Sequence, residues 1–428
     1  MNFFGTDGIR GTYGSTITDG TAFLLGKCLA QEHQGVIVVV GRDTRKSGDA
    51  LFNSLLLGIY SGGGNCINLG ILPTNSVGHF TRKLGADFGV MISASHNPPK
   101  DNGLKVFDRY GVKLCEPMQL KLSANMEILL ATVPKGKVHE PVFYDIENIY
   151  CEDIMSKIKV NLHGINIALD CCYGASYRVG KTLFNLCGAN VSAYCDFARG
   201  QLINVSCGAT HTEFLQGKVE GTDCDLGFAF DGDCDRLAVF ERDRLISPDR
   251  ILYLYAKYMS ECGLLNNNIV VGTVLTNGGV ARALKKLGLT LSRSDVGDTN
   301  VFIKMMELSS NLGGENSGHY LLSDYATSSD ALINALMISK IYREKGSIVE
   351  YTTEYVEEKS ISVSFELTKQ QLSVYSQNNY YADVVATVAT PNTRVVIRPS
   401  GTESKVRAYV EGEECEKVSE NIKKAFYN

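Results

Sequence analysis

The sequence predicts an α/β protein with parallel sheets, followed by a small α+β unit at the C-terminal end. Two observations carry this. First, apolar β-rich runs lead repeatedly into glycine-rich turns and then into stretches with helical spacing. Second, the last seventy or so residues change character, to two strand-like runs and one charged amphipathic helix.

The elements come in order. "GVIVVVGRD" at 35–43 reads as a strand, with the helical "SGDALFNSLLLGIYSGG" after it. "GINIALDCCYGA" at 164–175 precedes "SYRVGKTLFNLCG", and "NIVVGTVLTNGG" at 268–279 precedes "VARALKKLG". The runs are apolar throughout, as expected of strands covered on both faces. "SISVSFEL" and "RVVIRPSGTESKVRAYVEG" read as strands, and "ECEKVSENIKKAF" as the closing helix. A polar stretch near 133–147 marks the end of a first unit, and a second ends shortly after 240.

The 428 residues are 44% hydrophobic and 21% charged, which is globular composition. A net charge of −5 gives no reason to expect nucleic acid or an anionic membrane as partner. No apolar run approaches a membrane span. The N-terminal "MNFFGTDGIRG" lacks the pattern of a secretory signal, so the expectation is a cytoplasmic protein. Thirteen cysteines occur without a Cys-x-x-Cys pair, and they read as reduced, mostly buried small hydrophobes.

Four polar loops interrupt this frame. "SASHNPPKDNGLK" at 93–105 ends an apolar run in hydroxyls, His96 and Asn97. Its residues also suit a plain turn, and it is not a Gly-x-Ser-x-Gly elbow. "FDGDCDR" at 230–236 places Asp231, Asp233 and Asp235 two apart after an apolar strand. An extended chain sends all three to one side, where like charges need a cation. An oxygen-only ligand set suits Mg²⁺ rather than Zn²⁺. An EF-hand is excluded, because Arg236 and Arg242 fall where it needs Gly and Glu. "LGGENSGHY" at 312–320 offers Glu315 to hydroxyls from a glycine-rich loop. "RPSGTESKVR" at 398–407 sets Arg398 and Arg407 around Ser400, Gly401 and Thr402, a phosphate cradle without a Walker sequence. "GASYRVGKT" at 174–182 is one residue too long between its glycines for a P-loop. Together the loops point to phosphoryl transfer on a phosphorylated sugar or polyol.

The motifs "FGTDGIRG" at 4–11, "ISASHNPPKDNGLK" at 92–105, "DGDCDR" at 231–236, "GENSGH" at 314–319 and "RPSGTE" at 398–403 resemble those of the α-D-phosphohexomutases, over nearly the whole chain. "FGTDGIRG" and "INVSCGATHTEFLQ" at 203–216 resemble the branch that acts on glucosamine phosphate. The resemblance implies four domains around a central cleft: three related α/β units at 1–143, 144–243 and 244–357, and a small α+β unit at 358–428. It places the phosphorylated serine on Ser95 and Mg²⁺ on Asp231, Asp233, Asp235 and a phosphate oxygen of Ser95. His96 and Lys105 fall near proton transfer, Lys105 as a base only with a lowered pKa. Arg10 falls on an active-site arginine. Glu315 and Ser317 fall on the sugar-binding loop, and Arg398, Ser400, Gly401, Thr402 and Arg407 on the phosphate loop.

The implied reaction interconverts glucosamine 6-phosphate and glucosamine 1-phosphate through phosphoserine and glucosamine 1,6-bisphosphate, in the supply of UDP-N-acetylglucosamine. The alternative is a phosphomannomutase or phosphoglucomutase with the same machinery. An aspartate-based phosphatase using Asp231, or a sensor without turnover, would be of a different class. The partner is a phosphorylated amino sugar, and a homodimer is a family-level expectation. Three positions depart from the pattern: Cys234 in place of Gly, Thr299 in place of Arg, and "SSDAL" at 328–332 in place of a Gly-Asp turn.

Overall fold

The computed structural model describes residues 3–5, 7–131, 140–143, 145–368, 370–372, 375, 379–399 and 405–427. The chain divides into two compact units, one of residues 1–248 with 311–351, the other of 249–310 with 352–428.

The first unit holds two mixed sheets. In the six-stranded sheet, Phe88–Ile92, Ile37–Arg42, Asn65–Ile71 and Val142–Phe143 run parallel as successive neighbours. Asp101–Phe107 pairs antiparallel with Phe88–Ile92 on one side and with Ile9–Thr12 on the other. The predicted strand at 35–43 is Ile37–Arg42, and its following helix is Gly48–Ser61. Helix Asp19–Ala30 starts at Thr18, whose hydroxyl accepts the Thr21 N–H at 3.2 Å. These two helices meet backbone to backbone. A Cβ at Gly26 would lie 2.3 Å from the Leu55 carbonyl oxygen, and one at Gly58 would lie 2.1 Å from that of Phe23. Glycine is therefore required at both contacts. The helices cover a core that includes Val38, Val40, Val90 and Leu104.

The five-stranded sheet runs Arg244–Ile246, Leu237–Glu241, Leu226–Phe230, Asn166–Asp170, Asn190–Tyr194. Its last three strands are parallel, and the first two add on antiparallel. Strands Leu312–Gly314 and Tyr320–Leu322 form an antiparallel pair in the same unit.

The second unit contains the parallel pair Ile269–Thr273 and Thr290–Ser294. It also contains a three-stranded antiparallel sheet with Lys405–Gly412 between Ser360–Glu366 and Thr393–Pro399. Helix Cys415–Tyr427 packs Val418, Ile422 and Phe426 into that sheet's core, as the α+β reading of the C-terminal region expected. Among the described residues no helix is long and apolar enough to cross a membrane.

The sequence reading placed only the fourth polar loop between two strands. Strand–helix units build the frame, but all four loops join antiparallel strands. Residues 93–100 link Phe88–Ile92 to Asp101–Phe107, and 231–236 link Leu226–Phe230 to Leu237–Glu241. Residues 315–319 link Leu312–Gly314 to Tyr320–Leu322, and 400–404 link Thr393–Pro399 to Lys405–Gly412.

One buried acid in the second unit gives a pH prediction. Asp249 lies in the first turn of helix Pro248–Glu261 and accepts the Asn277 N–H at 3.2 Å. Burial, with Glu357 and Glu411 adding repulsion, pushes its carboxyl up to about 7 from 3.8. The folded chain thus holds this proton more tightly than the unfolded chain. The resulting stability is fully present below the unfolded value and is lost as pH rises through the folded one. Asp249→Asn is expected to gain in melting temperature over the parent as pH goes from about 5 to about 8. A difference that stays constant across that range would contradict this.

Candidate active site

Strand Phe88–Ile92 is buried along its whole length and delivers Ser93 and Ser95 into the interior. Ser95 has φ 51°, in the left-handed region that L-residues rarely enter. Several contacts hold it there. Its N–H donates to Ser93 Oγ at 2.9 Å, and the Ser93 hydroxyl donates to Asp43 Oδ2 at 2.6 Å. Arg45, 2% exposed, clasps the loop from behind. Its guanidinium donates to the carbonyl oxygens of Ser95 (2.7 Å), Asn97 (2.8 Å), Pro98 (2.5 Å) and Asp101 (2.9 Å), and through Nε to Asp43 (2.9 Å). Asn204 Nδ2 donates to the Ser95 and Asn97 carbonyls at 2.8 and 3.0 Å.

The Ser95 hydroxyl donates to Asp231 Oδ2 at 2.6 Å, and His96 Nδ1 lies 3.3 Å from Ser95 Oγ. Burial, with Arg236 and Arg10 nearby, pushes His96 down to about 4, so its imidazole is neutral.

Asp231, Asp233 and Asp235 converge, with a carboxylate oxygen from each within 4.8 Å of the others. The means of convergence corrects the sequence reading. The strand stops at Phe230, and the chain turns there instead of staying extended. Cys234 takes φ 61°, and its N–H donates to the Asp231 carbonyl at 3.1 Å. Asp231 Oδ1 then accepts the N–H groups of Asp235 and Arg236, each at 3.1 Å. The carboxylate templates its own turn, a common role for Asp. The left-handed backbone also explains why a glycine would suit position 234. Gly232 is packed too closely for a side chain: a Cβ there would lie 2.7 Å from the Ser95 carbonyl oxygen. Gly174, in the stretch resembling a P-loop, presses on the same turn, 2.4 Å from a built Cβ to the Gly232 carbonyl oxygen.

The three acids are 2% exposed or less. Burial and repulsion from Asp235 and Asp233 push Asp231 up to about 7. Asp235 is held well below the usual range: burial opposes this, but Lys105 and His319 outweigh it. Lys105 donates to Asp233 Oδ2 at 2.6 Å and Asp235 Oδ2 at 2.8 Å. Burial alone would lower its pKa, but Asp233, Asp235 and Asp7 raise it. The lowered pKa that a base role for Lys105 required is thus opposed by its surroundings. Asp233 Oδ2 also accepts the Thr74 hydroxyl at 2.5 Å, whereas its buried Oδ1 has no hydrogen-bond partner. An orphaned oxygen in a cluster of three buried carboxylates fits a hard divalent cation such as Mg²⁺.

Other loops lean on this core. His319 bridges Asp235 Oδ1 (3.1 Å) and Glu315 Oε2 (3.0 Å), and Ser317 Oγ lies 3.3 Å from its Nδ1. Burial opposes its charge, but Asp235 and Glu315 raise His319 to about 10. Leu237 N–H donates to the Gly318 carbonyl at 3.0 Å. In the variant turn at 328–332, Ser329 Oγ donates to the Asp235 carbonyl at 2.6 Å, and Asp330 caps helix Ala331–Lys345. Arg10 forms an ion pair with Asp7, whose carboxylate also takes Lys113 at 2.7 Å.

The structure therefore brings Ser95, His96, Lys105, the three aspartates, Glu315 and Ser317 into one connected set, with Arg10 joined through Asp7. In the second unit, Arg398 and Arg407 stand directly opposite each other across the sheet, so both project to one face. Ser400, Gly401 and Thr402 lie outside the described residues. Thr299 sits in the first turn of helix Asp298–Leu308. Sequence reasoning missed Arg45, Asn204 and Thr74 as site residues. It quoted His319 within a motif without giving it a role; the signal on offer was a histidine four residues after Glu315 in the same glycine-rich loop.

Comparison with known proteins matches four family descriptions in chain order. These are phosphoglucomutase/phosphomannomutase alpha/beta/alpha domain I over 1–129, domain II over 148–244, domain III over 247–358, and the C-terminal domain over 368–427. A phosphoglucosamine mutase of Thermotoga petrophila is 39% identical over 99% of this chain and 98% of its own. One from Clostridioides difficile is 37% identical over 98% of this chain and 96% of its own. In fold, a phosphoglucomutase/phosphomannomutase family protein of Burkholderia thailandensis matches with a TM-score of 0.83 at 24% identity, over 99% of this chain and 97% of that one. The N-acetylphosphoglucosamine mutase of Aspergillus fumigatus, solved with GlcNAc-6P and magnesium, matches with a TM-score of 0.65 at 18% identity, over 82% and 91%. Four domain matches and full-length relatives place this chain in the phosphohexomutase family, with bacterial phosphoglucosamine mutases among its similar members.

Proposed function

We propose that this chain is an isomerase that interconverts glucosamine 6-phosphate and glucosamine 1-phosphate, with Ser95 as the phosphoryl carrier. The observation that carries the reading is the Ser95 hydroxyl, held 2.6 Å from Asp231 inside the carboxylate cluster. The full-length phosphoglucosamine mutase relatives support the choice of sugar.

In the forward direction the phosphorus–Oγ bond of phospho-Ser95 breaks, and a new bond forms to the free sugar hydroxyl. The hydroxyl proton passes to a neighbouring base; His96, neutral and 3.3 Å from Ser95 Oγ, is placed for it, while Lys105 remains a cation that neutralises charge beside Asp233 and Asp235. The bisphosphate turns over, and Ser95 Oγ takes back the other phosphoryl group. Asp231, Asp233 and Asp235, with a phosphate oxygen on Ser95, would hold Mg²⁺, which supplies charge neutralisation at the transferring group. Arg10 adds positive charge near the same atoms. Glu315 and Ser317 accept and donate hydrogen bonds to sugar hydroxyls. Arg398 and Arg407, with Ser400, Gly401 and Thr402, take the phosphate that is not reacting.

The test is ³¹P NMR of glucosamine 6-phosphate with Mg²⁺, protein and a trace of glucosamine 1,6-bisphosphate, beside a matched glucose 6-phosphate sample. The 1-phosphate signal is expected to grow faster from the amino sugar. Conversion of glucose 6-phosphate alone would overturn the substrate, and release of free phosphate without isomer would overturn the reaction.

A further inference from the structure

A second donor cluster lies behind the Ser95 loop, and the proposed reaction does not use it. Strand Asn166–Asp170 ends on a fully buried carboxylate. Asp170 Oδ1 accepts the Cys172 N–H at 2.9 Å, and Oδ2 accepts the Gly208 N–H at 2.5 Å. Cys195 Sγ, Cys207 Sγ and an Asp170 oxygen all lie within 4.8 Å of one another. The Cys195 thiol faces both the Asp170 carboxylate and the Cys207 thiol. Cys172 continues the chain of donors: its thiol stands against that of Cys207 and donates to Asn204 Oδ1 at 3.1 Å.

Buried thiols packed together are ordinary small hydrophobes. A carboxylate among them is not. Burial raises the Asp170 pKa, and the partners that oppose this are two backbone N–H groups and the Cys195 thiol, with no cation among them. Two thiolates and a carboxylate form a soft, mixed ligand set, unlike the all-oxygen set at Asp231, Asp233 and Asp235.

We propose that Asp170, Cys195 and Cys207 bind a thiophilic divalent cation of the zinc type, distinct from the Mg²⁺ position at the aspartate triad. Zinc–sulfur bonds of about 2.3 Å and zinc–oxygen bonds of about 2.0–2.2 Å put tetrahedral donors of this set about 3.5–3.8 Å apart. The cluster reaches that spacing by small side-chain movements. Binding releases the two thiol protons to solvent and leaves a net charge of about −1 on the site. The Cys172 thiol, which stands against Cys207, is a further donor for the fourth position. The ion would fix Cys207 and, through Cys172, Asn204, whose amide holds the Ser95 and Asn97 carbonyls at 2.8 and 3.0 Å. Sequence spacing gave no sign of this site, because its donors come from three separate segments.

The test uses the full chain, loaded with Zn²⁺ or Co²⁺ in excess Mg²⁺ and then desalted. One zinc per chain is expected by elemental analysis, and the cobalt form is expected to show a thiolate-to-metal charge-transfer band in the near ultraviolet. Cys195→Ala and Cys207→Ala are each expected to lose the band and the bound metal. Asp231→Asn and Cys262→Ser are expected to keep both. If neither thiol variant folds, X-ray absorption of the zinc-loaded parent decides: mixed sulfur and oxygen ligation supports the site, and oxygen-only ligation overturns it. A parent chain with no stoichiometric zinc and no band, or a band that survives in Cys195→Ala or Cys207→Ala, also overturns it.

Discussion

Ser95→Ala is expected to reduce mutase turnover by about four to six orders of magnitude, the scale seen when a nucleophile is removed. The variant should still fold. Alanine tolerates φ 51° about as well as serine does, and the loop's main restraints, from Arg45 and Asn204, act on carbonyl oxygens that the substitution leaves in place. The lost hydrogen bond is the one to Asp231. Substrate affinity should change much less than turnover, because sugar and distal phosphate contacts are assigned to other loops. Steady-state rates with and without added bisphosphate check this. A variant with unimpaired turnover would remove Ser95 from the mechanism.

The second large effect falls on a residue that touches no substrate. Arg45→Met is expected to destabilise the fold by about 3–5 kcal/mol, since it leaves Asp43 buried without its partner. It should also lower kcat by about a hundredfold, as expected when a reacting atom is misplaced by about 1 Å. Four carbonyl oxygens in and beside the Ser95 loop lose the Arg45 guanidinium at once, and Asn204 remains on only two of them. The double variant Asp43→Asn/Arg45→Met separates the two effects. Removing the orphaned charge should recover part of the stability, read from denaturant unfolding, while kcat stays low. Recovery of both together would mean that Arg45 acts only through stability.

Much of the frame was legible because buried strands leave unbroken apolar runs: 35–43, 164–175 and 268–279 all proved to contain strands. The chemical identity of the site was legible for a related reason. Three carboxylates at the end of an apolar strand have few roles, so the aspartates stood out from the residues themselves, whereas Ser95 was singled out only by the family resemblance. Their arrangement was not legible. The turn at Asp231–Asp235 depends on one side chain capping two N–H groups and on a left-handed Cys234, which strand alternation cannot express. Arg45 falls between the strand read at 35–43 and the helical stretch that begins at Ser47, where nothing in the sequence singles it out, and only the folded chain shows it buried under four carbonyls. Asn204, Cys195 and Cys207 acquire their partners from distant segments, and a non-local contact leaves no local pattern.

The central claim is that Ser95 carries the phosphoryl group. Its most direct test begins with phosphatase-treated protein, Mg²⁺ and glucosamine 1,6-bisphosphate, followed by peptide mass spectrometry. One added phosphoryl group per chain is expected, located on Ser95, with glucosamine monophosphate as the released product. A phosphoryl group on Asp231 or any other residue, or product formation with Ser95 unmodified throughout, would contradict it.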